Sequence, residues 1–401
     1  MDAPLPRRGL IAAVALLILA AFVAPRFLPA ADLREGRKPA AVPQWRGGLE
    51  KFRTDTDSYI ADNFPARTRL IASVNYLRLK LGVSGSEKVL IGQDGWLFYN
   101  DGSLLGPTRG ENPLTPDLAE RLMLNLAGRV ERLQEHRAAY LVVAAPLKET
   151  IYPQYAPSWF HLEPYRFSRQ IAAAADRAVP SAVLHLYEPV ARARADGAVT
   201  FSRHDTHWTG AGAYAGYVAI MQALRARGLD QETRPLSAFR SKPDDPRRPH
   251  DLAQMIGVGG FVPIEYVRYE DPASDGWETT WLAAGRRDFT TPQVIDTHQP
   301  SKPVLLMQRD SFSTALLPFL TGHFGKVILT HIDDGAWRPD LVELYRPDFV
   351  LLEVQENGLG AVLSSGPAAS EAARIRIGEA FQAAPSLAPI AEDALATPLR
   401  R

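Results

Sequence analysis

The triplet Asp205-Thr206-His207 and, far downstream, the pair Asp310-Ser311 are the residues of this chain whose types and spacing suit group-transfer chemistry. In an extended stretch, side chains two apart leave the same face, so Asp205 and His207 would stand side by side. A carboxylate beside an imidazole fixes its tautomer, orients the ring and stabilises the imidazolium. Thr209 reads as the N-cap of a helix through Tyr214, Tyr217 and Met221, which would hold the histidine on a rigid loop just ahead of that helix. Taken alone, the segment equally describes a surface loop whose polar residues cap the helix. The second segment is an apolar run, Pro303 to Met307, that leads through Gln308 and Arg309 into Asp310-Ser311-Phe312. A serine at a strand-to-helix turn sits at the carboxyl edge of a sheet, where backbone N–H groups of the next turn can face a developing oxyanion. It becomes a nucleophile only if a histidine can take its proton. Alone, Asp310-Ser311 is an ordinary helix cap; together, the two segments supply the parts of an acyl-transfer triad.

Other readings compete for the same residues. His204 and His207 form H-x-x-H and, with Asp205, could ligand a metal, but no second cluster of ligand spacing accompanies them, so no metal ion is expected. Gly257, Gly259 and Gly260 do not make G-x-G-x-x-G and read as turn glycines. The histidines at 136, 161, 185, 250, 298, 323 and 331 are scattered and read as structural or solvated. Trp96, Phe98 and Tyr99, in the segment Gly92 to Tyr99, could stack a sugar; a hairpin packing its aromatics into the core is the preferred reading.

The elements that must position these groups follow from periodicity. Thr115-Pro116 is an N-cap followed by Pro at the first helical position. Leu118, Leu122, Leu126, Val130 and Leu133 recur at helical spacing, so a helix is predicted to about Arg137. Tyr140–Ala145 is a short continuous apolar run, as in a strand covered on both faces. Ala182–Tyr187, Val304–Met307, Val327–Leu329 and Phe349–Val354 supply further strands. Strands alternating with helices predict a mostly parallel sheet in an α/β layer fold. Residues 235–300 lack a helical period and read as an irregular or β-rich insertion.

The chain has 401 residues, 45 Lys+Arg against 45 Asp+Glu, 46% hydrophobic residues and no Cys. That length buries a sizeable core, and the balanced charge argues against a nucleic-acid partner, whose phosphates would demand excess Lys and Arg. The absence of Cys removes thiol nucleophiles and disulfides without assigning a compartment. Arg7 and Arg8 precede an uncharged run from Gly9 to Pro25, closed by Arg26. Its length, roughly 25 Å as a helix, fits a short membrane anchor or a long signal-peptide core. Pro25 directly after Ala24 disfavours cleavage there, so an uncleaved signal anchor is expected, with its orientation left open by the flanking charges. The expected organisation is an anchor over 1–26, a Pro/Ala-rich tether over 27–45, one domain over 46–360 and an Ala/Pro-rich, partly disordered tail over 361–401.

Five segments occur in one order: Tyr59–Arg67 (YIADNFPAR), Gly92–Tyr99 (GQDGWLFY), Pro146–Pro153 (PLKETIYP), Asp205–Thr209 (DTHWT) and Asp310–Phe312 (DSF). In this order they resemble the alginate O-acetyltransferase group of the AlgX/AlgJ type, over roughly residues 45–360. The resemblance implies an SGNH hydrolase-like three-layer α/β fold. It implies Ser311 as nucleophile, His207 as general base and Asp205 as the orienter of His207, without cofactor or metal. It also implies a cytoplasmic N-terminus, an inner-membrane anchor helix and a periplasmic catalytic domain. There the domain would acetylate hydroxyls of an exopolysaccharide, alginate-like or other. An integral-membrane O-acyltransferase would be the partner that supplies acetyl groups. Two positions depart from the group's pattern: Arg309 stands where Gly usually precedes Asp-Ser-Phe, and Asn357 where an Arg is frequent. A polysaccharide acetyl esterase with the same triad, and a non-catalytic polysaccharide-binding scaffold of a secretion complex, are the alternative expectations.

Overall fold

The computed structural model describes residues 40–383 except 46, 64–66, 112, 244–249 and 264–266, together with Leu16 and Leu19. The run read as a membrane anchor therefore lies outside the described residues save for those two leucines. Among the described residues no helix is long and apolar enough to cross a membrane. The chain divides into two compact units, one of residues 1–86 with 253–263, the other of 87–252 with 264–401. The boundary after Ser86 falls inside the stretch that the sequence presents as one domain.

The first unit contains helices α1 (Leu49–Asn63) and α2 (Arg67–Lys80). Tyr76 of α2 stacks on Phe261 at 5.4 Å.

The second unit opens with a hairpin of β1 (Val89–Ile91) and β2 (Leu97–Tyr99). It continues through α3 (Pro116–Glu135), β3 (Ala139–Ala145), α4 (Lys148–Ile151), α5 (Phe167–Ala178), β4 (Val183–His185) and α6 (Gly210–Arg225). Strands β5 (Arg240–Pro243) and β6 (Val267–Glu270) pair with each other, and β7 (Glu278–Trp281), β8 (Gln293–Asp296), β9 (Val304–Arg309), β10 (Lys326–His331) and β11 (Phe349–Gln355) follow, then helix α7 (Glu371–Ala383). Both predicted caps are formed: Thr115 Oγ1 accepts from Leu118 N–H at 3.3 Å and Thr209 Oγ1 from Gly212 N–H at 3.2 Å. Each satisfies a backbone donor that a helix start otherwise leaves unpaired.

Seven strands form the main sheet in the order β4-β3-β11-β9-β10-β8-β7. β4, β3, β11, β9 and β10 are parallel neighbours. Successive side chains of a strand point to opposite faces, and here both faces are covered. Leu141, Val143, Leu305, Met307 and Leu351 pack in one cluster with Tyr217, Ile220 and Met221 of α6. Val142, Ala144, Leu306, Val350 and Leu352 pack in another with Leu122 and Leu126 of α3 and Ile171 of α5. Burial on both sides is why these strands read as unbroken apolar runs.

The sheet is mostly parallel, as predicted, with two antiparallel strands added at one side: β8 joins β10 and β7 joins β8. Residues 235–300 are β-rich, as read, but β7 and β8 belong to the main sheet rather than to an insertion, and such largely exposed or half-buried strands carry weak periodicity. Within the stretch read as a tail, α7 is a packed helix whose Ala373 and Ile377, one turn apart, are fully buried against the α3 side of the sheet; residues beyond 383 lie outside the described residues.

Candidate active site

The adjacent parallel strands β3, β11 and β9 end at Ala145, Gln355 and Arg309, and the segments just beyond those ends carry Lys148, Asn357 and Ser311. Open α/β sheets bind ligands in the crevice outside such carboxyl ends. Asp205 and His207 arrive there from the loop before α6. That loop closes on itself through a Phe201–Trp208 bridge and a Thr209 N–H to Thr200 carbonyl bond of 2.9 Å. Gly212 permits the closure, since a Cβ there would come within 2.3 Å of the Thr200 carbonyl oxygen. The Trp208 indole N–H donates to the Phe312 carbonyl at 2.9 Å, and the Phe312 ring lies 5.2 Å from the His207 ring. The aromatic residue that follows each polar pair therefore ties the two loops together.

The three residues singled out in the sequence meet in one place. His207 Nε2 is 2.9 Å from Ser311 Oγ, and His207 Nδ1 is 2.7 Å from Asp205 Oδ1. With Nδ1–H donating to the carboxylate, Nε2 presents its lone pair to the serine hydroxyl. Asp205 Oδ1 also accepts the His207 backbone N–H at 2.9 Å, and Oδ2 accepts the Asp251 N–H at 3.1 Å. The His207 side chain is 31% exposed and Ser311 is partly exposed.

Charge reinforces this geometry. Burial alone would lift the Asp205 carboxyl, but hydrogen bonds with His207 and His250 outweigh it and hold Asp205 well below the ordinary carboxylate range. Burial disfavours the His207 imidazolium, yet the bond and charge of Asp205 prevail and raise its pKa above the ordinary 6.5. Asp251, which the sequence gave no reason to select, is a second carboxylate at the imidazole. Its Oδ1 accepts from Thr206 N–H at 2.7 Å and its Oδ2 lies 3.8 Å from His207 Nδ1. Burial, then repulsion from Asp205, push its carboxyl up. Among the described residues, Asp205, His207 and Asp251 are the group whose ligand-type atoms lie within 4.8 Å of one another. His204, the partner considered for a metal, is not among them; burial keeps its imidazole neutral, pushed down to about 4.

The serine turn is held from behind. Asp310 Oδ1 accepts from Phe312 N–H at 2.8 Å and Oδ2 from Gln355 N–H at 2.7 Å, joining the ends of β9 and β11. Because Asp310 occupies the Phe312 donor, Ser311 N–H is the neighbouring backbone donor left without an acceptor among the described residues. Burial, with the Asp310 charge beside it, holds Glu353 well above its usual range, so it is protonated and can donate to Asp310. Arg309 is buried and braces the same turn. Its guanidinium donates to the Phe289 carbonyl at 2.6 Å, to Thr314 Oγ1 at 3.3 Å and to Ser313 Oγ at 3.4 Å.

A cleft beside these three residues is lined by Tyr99, Asp101, Glu149, Thr206, Gln355 and Asn357, among others. Trp96 and Phe98 are buried, with Trp96 stacked on Tyr155 at 4.6 Å, so they are core, and Tyr99 alone of that trio is exposed. Glu356, wholly buried, accepts from Leu147 N–H (3.0 Å), Thr150 Oγ1 (2.8 Å), Arg166 Nε (2.7 Å) and Ser168 Oγ (2.7 Å). Burial opposes its charge, but Arg166 and His185 outweigh burial and hold it well below the usual carboxylate range. The network fixes α4 to the end of β11, and burial with the Glu356 charge pushes Glu149 up to about 7.

Residues 89–275 match the family model described as "SGNH hydrolase-like domain, acetyltransferase AlgX"; this span holds Asp205 and His207 and ends before Ser311. A "Probable alginate O-acetylase AlgJ" of Pseudomonas putida is 31% identical over 203 residues, covering 46% of this chain and 49% of that protein. The chain thus spans about half the length of this curated relative. The structure of Bacillus cereus PatB1 with a sulfonyl adduct superposes with a TM-score of 0.53 at 14% identity, over 69% of this chain and 97% of that one. A second PatB1 structure gives 0.50 at 15% identity, over 68% and 96%. These two likenesses concern the fold alone. Residues 89–275 thus match the AlgX-type SGNH hydrolase-like domain, and over about half its length the chain is similar to AlgJ.

Proposed function

We propose that the protein is an O-acetyltransferase that carries an acetyl group on Ser311 and passes it to a polysaccharide hydroxyl. The observation that carries this reading is the chain of contacts Asp205–His207–Ser311, 2.7 Å and 2.9 Å long, at the carboxyl edge of the sheet beside an open cleft. In the first step the Ser311 hydroxyl proton moves to His207 Nε2 as Oγ bonds to the acetyl carbon. The donor's acyl bond breaks, and its leaving group takes the proton from His207. In the second step an acceptor hydroxyl gives its proton to Nε2 and attacks the ester carbon; the Ser311 C–O bond breaks and Oγ recovers the proton. Asp205 holds the ring and stabilises the imidazolium in both steps. Ser311 N–H is the oxyanion donor, a contribution typically worth about 3–4 kcal/mol. Transfer rather than hydrolysis requires the acceptor hydroxyl to be held at the ester while water is excluded, and the cleft is where a sugar would sit.

The setting we propose is the periplasmic face of an inner membrane, with the segment over 1–26 as anchor. An integral-membrane O-acyltransferase would deliver acetyl groups there. An exopolysaccharide, alginate or another polymer, is the acceptor. The partial exposure of Ser311 and His207 supports a second reading, an acetyl esterase that uses water as acceptor. Incubating the full chain with an activated acetyl ester, with and without oligosaccharides of uronate and neutral type, separates the two. Acetylated sugar is the expected product. Free acetate at an unchanged rate in every arm would assign an esterase, and neither product from the folded protein would leave a polysaccharide-binding scaffold.

A further inference from the structure

Lys148, in the Pro146–Pro153 segment, has no part in the steps above, yet it is 2% exposed and points into the loop that carries the Asp–His pair. Its ammonium donates to the carbonyls of Ser202 at 3.1 Å, Arg203 at 3.4 Å and Asp205 at 2.6 Å. An ammonium has three N–H donors and no acceptor, so its whole bonding capacity is directed at one short stretch of backbone, two residues before His207. Nζ also lies 5.3 Å from the Phe98 ring centroid and 5.9 Å from that of Trp96, which gives the cation a favourable wall. The root of the side chain is fixed in turn, because Leu147 N–H and Thr150 Oγ1 donate to the buried Glu356.

We propose that Lys148 is a positioning residue, a three-pronged donor that holds the Asp205–His207 loop in register with Ser311. This rests on the reading of Ser311 as nucleophile and His207 as base. Stability does not by itself call for a cation here, since a buried charge is costly unless paired. What an ammonium adds is convergence of three donors on one loop, and a neutral amine keeps only two. The titratable groups that face it are Asp205, Asp251, Glu149 and His204. Burial lowers Lys148 to about 8, against the attraction of the three carboxylates. Loss of its proton as pH rises through that value leaves one loop carbonyl without its donor and loosens His207.

The test is hydrolysis of p-nitrophenyl acetate by the full chain, with kcat and KM measured from neutral to alkaline pH for wild type, Lys148→Met and Lys148→Arg. Wild type is expected to lose activity on an alkaline limb near pH 8. Lys148→Met is expected to lose about 10- to 100-fold in kcat, the scale of a small misplacement of catalytic groups, with KM little changed and the alkaline limb gone. Lys148→Arg, whose planar fork cannot aim three donors at one point and does not titrate in this range, should show an intermediate kcat and likewise no limb. If Lys148→Met does not fold, the arginine variant and the wild-type limb decide. A folded variant with wild-type kcat and an unmoved alkaline limb overturns the proposal. Ser311→Ala in the same assay keeps the two claims apart. If it retains full activity, the nucleophile is wrong; if it is inactive while the Lys148 variants match wild type, only the positioning role falls.

Discussion

Ser311→Ala is expected to lower kcat for acetyl transfer by at least about 10⁴-fold, and His207→Ala by a similar factor. The double variant should be no worse than either single one. Nucleophile and base act as a unit, so once one is gone the other has nothing to transfer, and the remaining rate reflects binding and the oxyanion donor alone. The fold should survive, because Ser311 is partly exposed and the bond its hydroxyl makes is the one to His207. Acetylated product quantified against time, beside thermal unfolding of each variant, checks both halves of the expectation. A single variant with activity within tenfold of wild type would mean that the 2.9 Å contact between these residues is not the reacting pair.

The second large effect is that of Asp205→Asn, expected to cost on the order of 10⁴-fold in kcat, the scale seen when an orienting aspartate is replaced and the histidine tautomer is left wrong. Its pH signature is as informative as its size. His207 works as a base only when neutral, so activity rises with pH as the imidazolium loses its proton. Asp205 raises that pKa, which puts the wild-type acid limb above 6.5. With the carboxylate gone, burial, which lowers the pKa, is less opposed, and the limb moves to lower pH. It should not move all the way, because Asp251 Oδ2 stays 3.8 Å from Nδ1. A pH–rate profile of kcat shows the shift; an acid limb that stays put in Asp205→Asn would assign it to another group.

The parts of this molecule legible in the sequence are those whose physics is local. β3, β9, β10 and β11 are visible because strands covered on both faces must be apolar throughout. Thr115 and Thr209 are visible because a helix start needs a side-chain acceptor at a fixed offset. The Asp205–His207 spacing and the serine at the end of β9 are likewise local, and only their meeting across the fold required coordinates. What stayed hidden depends on contacts between distant segments. Asp251 lies in a stretch without periodicity and gains its role by packing on Thr206. Lys148 is one of eight lysines, with no local mark of its role until three loop carbonyls surround it. β7 and β8 are short strands at one side of the main sheet, and their membership is set by their pairing, β8 with β10 and β7 with β8, rather than by their own composition. Arg309, a departure from the family pattern at the serine turn, proves to be a buried brace bonded to the Phe289 carbonyl.

The claim on which the functional reading depends is that Ser311 becomes covalently acetylated with His207 as its base. Mass spectrometry of the full chain, quenched in acid after brief exposure to an activated acetyl ester, addresses it most directly. One acetyl group per chain is expected, on the peptide containing Ser311, and absent from both Ser311→Ala and His207→Ala. An acetyl group found instead on another residue, or an undiminished adduct in His207→Ala, would contradict the account.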